Sequence, residues 1–216
     1  MKIELSRVSK RYRREWVVRE VDLMLDAPGR YAVTGPNGSG KSTLLRILSG
    51  HLSPTKGQAS FSHQKKSLNP NEAWQYLSYA APYIELIEEF TLLEALQFHH
   101  RFRKFAAGLQ PKDLVGVLGF PDSAANKPVR FFSSGMKQRL KLVLAICSET
   151  PLLLLDEPTS NLDRQGAAWY LDLIGQFAGD RLVVVASNVE EDYAFCTEYI
   201  DILQYKSKTK TKNIAT

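Results

Sequence analysis

Apolar positions divide the chain into stretches that alternate every second residue and stretches that recur near every 3.6 residues. Residues 2–8 and 17–25 read as strands. In the second, Val17, Arg19, Val21, Leu23 and Leu25 fall on one side and Val18, Glu20, Asp22 and Met24 on the other. The turn Asp26-Ala27-Pro28-Gly29 closes this hairpin-like region and delivers the chain to a β-prone run at 30–34. A helix over 42–48 follows a glycine-rich segment. Short strands are expected at 58–62 and 77–81, the latter ending at Pro82, with a polar loop over 63–71.

Residues 83–150 change character. Thr91-Leu92-Leu93-Glu94 is a capping box, in which Thr91 caps a helix start and Glu94 reaches back. Leu92, Ala95, Leu96, His99 and Phe102 then recur at helical spacing. Pro111 opens a second helix over 111–118, and a third spans 135–148 with Leu140, Val143, Leu144 and Cys147 on one face. This helical insert ends at Thr150-Pro151. The four consecutive leucines 152–155 have the pattern of a central parallel strand buried on both faces. An amphipathic helix over 163–177, a buried strand over 182–186, a helix over 189–196 and a last strand over 199–203 complete the chain. Alternating strands and helices predict an α/β fold with a mostly parallel sheet.

Composition is that of a globular protein: 216 residues, 44% hydrophobic and 24% charged, enough for one large domain or two small ones. No apolar run approaches the ~20 residues of a membrane-spanning helix, and Met1-Lys2-Ile3-Glu4 carries no apolar signal-peptide core. Cys147 and Cys196 lie far apart with no C-x-x-C, which fits a reducing cytosol rather than a disulfide or zinc framework. Adjacent His99 and His100 point to opposite sides and do not suggest a metal pair. The net charge is +5, but Lys206, Lys208, Lys210 and Lys212 supply four of those charges and leave +1 for residues 1–205. Arg7, Lys10, Arg11, Arg13 and Arg14 form a second basic cluster. Solvated surface and contact with anionic lipid or nucleic acid both remain open for these groups.

The glycine-rich segment Gly35-Pro36-Asn37-Gly38-Ser39-Gly40-Lys41-Ser42 fits G-x-x-x-x-G-K-[ST], a phosphate-binding loop set between a strand and a helix. Its glycines let successive N–H groups face inward, and the helix adds the positive end of its dipole. Lys41 is expected to reach the β- and γ-phosphates, Ser42 to hold Mg²⁺, and Thr43 to make a further phosphate contact. Asp156 and Glu157 end the four-leucine strand, where open α/β sheets place their ligands. Asp156 has the position of the acid that holds Mg²⁺, and Glu157 that of the group orienting or deprotonating the attacking water. With the phosphate loop, this pair predicts ATP hydrolysis.

The stretch Phe132-Ser133-Ser134-Gly135-Met136-Lys137-Gln138-Arg139 is similar to the ABC signature L-S-G-G-Q-x-Q-R. Signature, phosphate loop and Asp-Glu strand occur in the order found in ABC-transporter ATPase subunits. The chain resembles such a subunit over residues 1–204, with 205–216 a basic tail. The resemblance implies a P-loop NTPase of RecA-like type, with a parallel-sheet core, an N-terminal antiparallel β subdomain and an α-helical subdomain inserted at about 83–150. It implies ATP and Mg²⁺ as cofactors. Tyr12 stands where an aromatic stacks on adenine, with Trp16 as a substitute. Ser133, Ser134 and Gly135 would face the γ-phosphate bound by a second ATPase subunit, in a homodimer or heterodimer with Asp163 at its seam. A separate polytopic membrane permease would dock on residues 83–105, which places the chain at the cytoplasmic face of the cell membrane.

Some positions depart from the family pattern. The signature has Phe132 for Leu, Ser134 for the first Gly and Met136 for Gln. Pro82 stands where a Gln usually touches Mg²⁺ and the water; Tyr83 and Glu85 are the candidates to replace it. Asn188, in Ser187-Asn188, replaces the usual His; it can donate an amide hydrogen bond to the γ-phosphate but cannot carry a positive charge. Two alternatives therefore accompany the transporter motor: a soluble ABC ATPase acting on nucleic acid or ribosomes, and an ATP-gated binding module that hardly hydrolyses.

Overall fold

The computed structural model describes residues 1–206, so Lys208, Lys210 and Lys212 of the basic tail lie outside the described residues. In chain order the elements are β1 (Lys2–Tyr12), β2 (Glu15–Asp26), β3 (Gly29–Thr34), α1 (Lys41–Leu48), β4 (Lys56–His63), β5 (Lys66–Leu68) and β6 (Leu77–Ala80). Then come α2 (Leu92–Phe102), α3 (Asp113–Val117), α4 (Ser134–Ile146), β7 (Leu152–Asp156), α5 (Arg164–Phe177), β8 (Leu182–Ala186) and β9 (Glu198–Asp201). Two sheets result: an antiparallel one in the order β2-β1-β4-β5, and a parallel one in the order β6-β7-β8-β3-β9. This is the α/β architecture read from the pattern.

The four leucines of β7 show why the parallel sheet forms. All of β7 and β8 is buried. Leu153, Leu155, Val183 and Val185 point into a core shared with α2, α4 and α5. Leu152, Leu154, Leu182 and Val184 point the other way, into a core built with α1 and the inner faces of β1, β2 and β4. Period-two alternation on a strand apolar at every position satisfies both layers at once. The starting ends of the strands are tied by Arg181, whose buried guanidinium donates to the Ile146 carbonyl (2.7 Å) and to the Ser78 (2.6 Å) and Thr150 (2.7 Å) hydroxyls.

Several local expectations are corrected. The polar run 63–71 is not a loop throughout: Gln64 and Lys65 take positive φ (50° and 65°) and turn the chain tightly, so β5 pairs with β4 through Phe61↔Leu68. That turn lacks the Asn-Gly that usually betrays it. On β2 the alternation breaks at Glu20 (φ 52°), so Val18 and Val21 are both buried. Positive φ at Glu20 goes with irregular pairing to β1. The helix expected over 189–196 is a single 3₁₀ turn, Glu190–Tyr193, and the 111–118 helix contracts to α3. On α2 the capping box forms and Leu92 and Leu96 are buried, but Phe102 is 72% exposed. It joins Phe98 and Phe90 in an aromatic row, with ring centroids 5.1 and 5.4 Å apart. Among the described residues no helix is long and apolar enough to cross a membrane.

His99 on α2 supplies a prediction. Its ring stacks on Phe105 at 5.5 Å and its Nε2 lies 2.8 Å from the Ser148 hydroxyl. Burial, helped by Arg103 and His100, draws its pKa down to about 4 from 6.5. As pH falls, the unfolded chain binds this proton first, so the stabilisation is complete above 6.5 and is lost as pH drops toward 4. His99→Gln is expected to flatten the corresponding slope in urea-unfolding stability measured from pH 7 to pH 4.

Candidate nucleotide-binding cleft and signature depression

Parallel pairing sets the strand ends level. Asp156 of β7 pairs with Ala186 of β8, and Ala186 with Val33 of β3. The segments that leave β6, β7, β8 and β3 therefore emerge side by side, carrying Pro82, Glu157, Ser187 and the glycine-rich loop.

The loop 35–40 owes its shape to backbone that only glycine adopts easily. Gly40 has φ 110°, and a Cβ there would lie 2.8 Å from a Val17 methyl. Gly35 has φ 139°, and its Cβ would meet Ile202 at 2.6 Å. The loop closes with the Ser39 N–H on the Pro36 carbonyl (3.1 Å) and opens directly into α1. It walls a cleft of about 620 Å³ lined by Asn37, Gly38, Ser39, Gly40, Lys41, Ser42 and Thr43, with Val17, Pro82, Glu157 and Ser160 opposite.

Lys41 is buried, and its Nζ donates to the Gly35 (2.9 Å) and Pro36 (3.4 Å) carbonyls. It also forms an ion pair with Glu157 Oε1 at 3.3 Å. Glu157 sits at φ 46°, an uncommon value for a side-chain-bearing residue, held by its N–H on the Ala186 carbonyl (2.8 Å). Asp156 is 1% exposed. Burial pushes its pKa up, while the Tyr83 hydroxyl, the nearby Ser42 and the charge of Lys41 oppose that rise. Its Oδ2 accepts from the Tyr83 hydroxyl at 3.2 Å, and its Oδ1 has no partner. The Ser39 and Ser160 hydroxyls are also buried and unpartnered. Unpaired oxygens of this kind are uncommon in folded proteins. A carboxylate oxygen and hydroxyls beside an ammonium are a donor set that suits a hard divalent cation and an oxyanion.

Other residues complete the surroundings. Asp192, buried and raised in pKa by that burial, accepts from the Ser187 and Thr159 hydroxyls, each at 2.6 Å. The Ser187 oxygen also lies 3.2 Å from Glu157 Oε2. Sequence reasoning missed Asp192, which falls in a segment read only as a helix; it also missed Val17 and Ser160 as cleft walls. Asn188 is exposed beyond the end of β8 and does not line the cleft. Tyr12 also lies off the cleft wall, 43% exposed near the β1–β2 turn with Lys10 5.5 Å from its ring centre. Trp16 is surrounded instead by Arg11, Arg19 and Lys56 at 5.3, 5.5 and 5.8 Å.

Ser133, Ser134, Gly135 and Asp163 come together in a separate depression of about 410 Å³, with Met136, Arg139 and Asn161. Ser133 caps α4 by accepting from the Met136 N–H (3.2 Å), and Asp163 caps α5 by accepting from the Gly166 N–H (2.7 Å). Further along α4, Gln138 Nε2 donates to the Pro158 carbonyl (2.7 Å) and Lys141 Nζ to the Pro82 carbonyl (2.8 Å). One helix thus touches the segments that leave β6 and β7.

The model of the family described as "ABC transporter" matches residues 18–160. An uncharacterized ABC transporter ATP-binding protein of Bacillus subtilis, YybJ, is 27% identical over 215 residues, covering 98% of this chain and 97% of that protein. Nod factor export ATP-binding protein I of Cupriavidus pinatubonensis is 30% identical over 165 residues, covering 76% of this chain and 51% of that protein, so the chain spans about half its length. The fold matches that of a dimeric bacterial ABC transporter cassette with a TM-score of 0.78, 22% identity and coverage of 93% and 94% of the two chains.

The loop geometry carries a prediction. Gly40→Ala forces a Cβ against Val17 at a positive φ, a strain of the order of 1–3 kcal/mol. It is expected to weaken binding of a fluorescent ATP analogue by about tenfold while the circular-dichroism spectrum stays that of the native chain.

Proposed function

Since this chain belongs to the ABC transporter family, we propose that its residues 1–204 form an ATP-binding and ATP-hydrolysing unit that drives a substrate through a separate membrane permease. The observation that carries the reading is the meeting of the glycine-rich loop, Lys41 and Glu157 in one cleft at the carboxyl ends of the parallel sheet, with Asp156 buried next to Glu157 at the end of β7. Loop N–H groups and the start of α1 receive the phosphates of ATP, with Gly35, Pro36, Asn37, Gly38, Ser39, Gly40 and Thr43 shaping or lining the seat. Ser42 and the unpartnered oxygen of Asp156 suit Mg²⁺. When bound there, Mg²⁺ supplies charge neutralisation on the phosphate oxygens.

The chain's own groups then divide the work. Lys41 exchanges its contacts with Glu157 and the loop carbonyls for the β- and γ-phosphate oxygens. Glu157, released from the ion pair, orients the attacking water and takes its proton. Ser187 and Asp192 hold Glu157 from behind through the hydroxyl beside Oε2. Asn188, exposed at the end of β8 outside the cleft wall, is assigned to the γ-phosphate on turning its amide inward, and Tyr12 to the adenine side.

The depression formed by Ser133, Ser134, Gly135 and Asp163 receives the nucleotide of a second ATPase subunit, identical or different, so that ATP closes the dimer and hydrolysis reopens it. Free N–H groups and a hydroxyl cap at the start of α4 support that role. The aromatic row Phe90, Phe98 and Phe102 supports a membrane permease as the partner on that side, and hence a location on the cytoplasmic face of the cell membrane.

The test is steady-state ATP hydrolysis by the purified chain. Glu157→Gln is expected to lower turnover by about 100-fold or more while ATP binding persists, and Asn188→His to raise turnover. Undiminished hydrolysis in Glu157→Gln would remove the carboxylate from its assigned role.

A further inference from the structure

Pro82 and Tyr83 follow β6 in sequence but face different spaces. Pro82 lines the nucleotide cleft. Tyr83 lines a separate, largely apolar groove of about 540 Å³, together with Tyr79, Arg46, Ile87, Phe90 and Phe98. From the groove side the Tyr83 hydroxyl nonetheless reaches back 3.2 Å to Asp156 Oδ2. The same hydroxyl is hydrogen-bonded to that of Tyr79, whose ring meets it edge-on with centroids 6.3 Å apart. Arg46 of α1 lies 5.1 Å over the Tyr83 ring.

Asp156 thus has one oxygen engaged by a phenol and one without a partner. Resting on the ATP-hydrolysing reading above, we propose that Tyr83 is a positioning residue for Asp156. Its hydroxyl fixes which carboxylate oxygen is left for the metal. The link acts on a metal-binding side chain from behind and does not enter the cleft. It runs along neighbouring strand ends, since Tyr79 lies on β6 and Asp156 closes β7, the strand paired with it.

Partners of this kind behind a metal ligand typically contribute about 10-fold or more to metal affinity. Mn²⁺ binding, read by electron paramagnetic resonance with a non-hydrolysable ATP analogue present, reports the effect without turnover. Tyr83→Phe keeps the ring and removes the hydroxyl. It is expected to weaken Mn²⁺ binding by about 10-fold, with the metal-free affinity for the analogue and the thermal midpoint unchanged. Tyr79→Phe should give a smaller loss in the same direction. Equal Mn²⁺ affinity in wild type and Tyr83→Phe, or a parallel loss of metal-free nucleotide binding, would overturn the positioning role. Failure of the wild-type chain to bind the analogue at all would instead refute the ATP-binding reading itself.

Discussion

Burial of β7 and β8 on both faces is the constraint from which the rest of the arrangement follows. A strand covered by apolar layers above and below has no side left for polar chemistry, and its main chain is fully engaged by its neighbours. Charged groups can then stand only where the strand stops. Asp156, Glu157 and Ser187 occupy those stopping points, and parallel pairing brings the exits of β3, β6, β7 and β8 to one level. The glycine-rich loop needs nothing further to face them.

Polar groups forced to the rim of such a core must be satisfied from the loops, and here they are satisfied unevenly. Asp192 receives two hydroxyls and serves as a fixed support. Arg181, at the opposite end of the sheet, donates from its two terminal nitrogens to two hydroxyls and a carbonyl, while its buried Nε has no partner. Lys41 and Glu157 neutralise each other at 3.3 Å, while Asp156 Oδ1 and the Ser39 and Ser160 hydroxyls go without partners. Behind the cleft Asp192 is engaged on both oxygens, whereas the Ser39 and Ser160 hydroxyls on the cleft wall and the adjoining Asp156 Oδ1 are left open. That gradient separates scaffold from working surface more clearly than the chemical type of any one residue.

Legibility in the sequence followed the range of the interaction. The four-leucine strand, the strand–loop–helix at Gly35 to Ser42 and the Thr91 capping box are local patterns, and the structure reproduces them. The tight turn at Gln64-Lys65 was illegible because neither residue advertises a positive φ. The bulge at Glu20 shifted a strand whose alternation read cleanly on paper. Residues 190–192 fell within a stretch read as a helix, yet Asp192 is drawn inward by hydroxyls of Ser187 and Thr159. The Tyr83 contact joins positions 73 residues apart, and no periodicity encodes it. Within the site, the loop and the Asp-Glu pair were readable from spacing, whereas what stands behind them required the packed chain.

Helix α4 holds the segments after β6 and β7 through the carbonyl oxygens of Pro82 and Pro158, received from Lys141 and Gln138. A main-chain carbonyl belongs to every residue type. Position 82 can therefore change its side chain over generations without loosening the helix's grip, and drift there alters the chemistry offered to the cleft while leaving the mechanical linkage untouched. A lineage carrying this scaffold is free to experiment at that position one substitution at a time, because the attachment it would otherwise endanger was never written in a side chain.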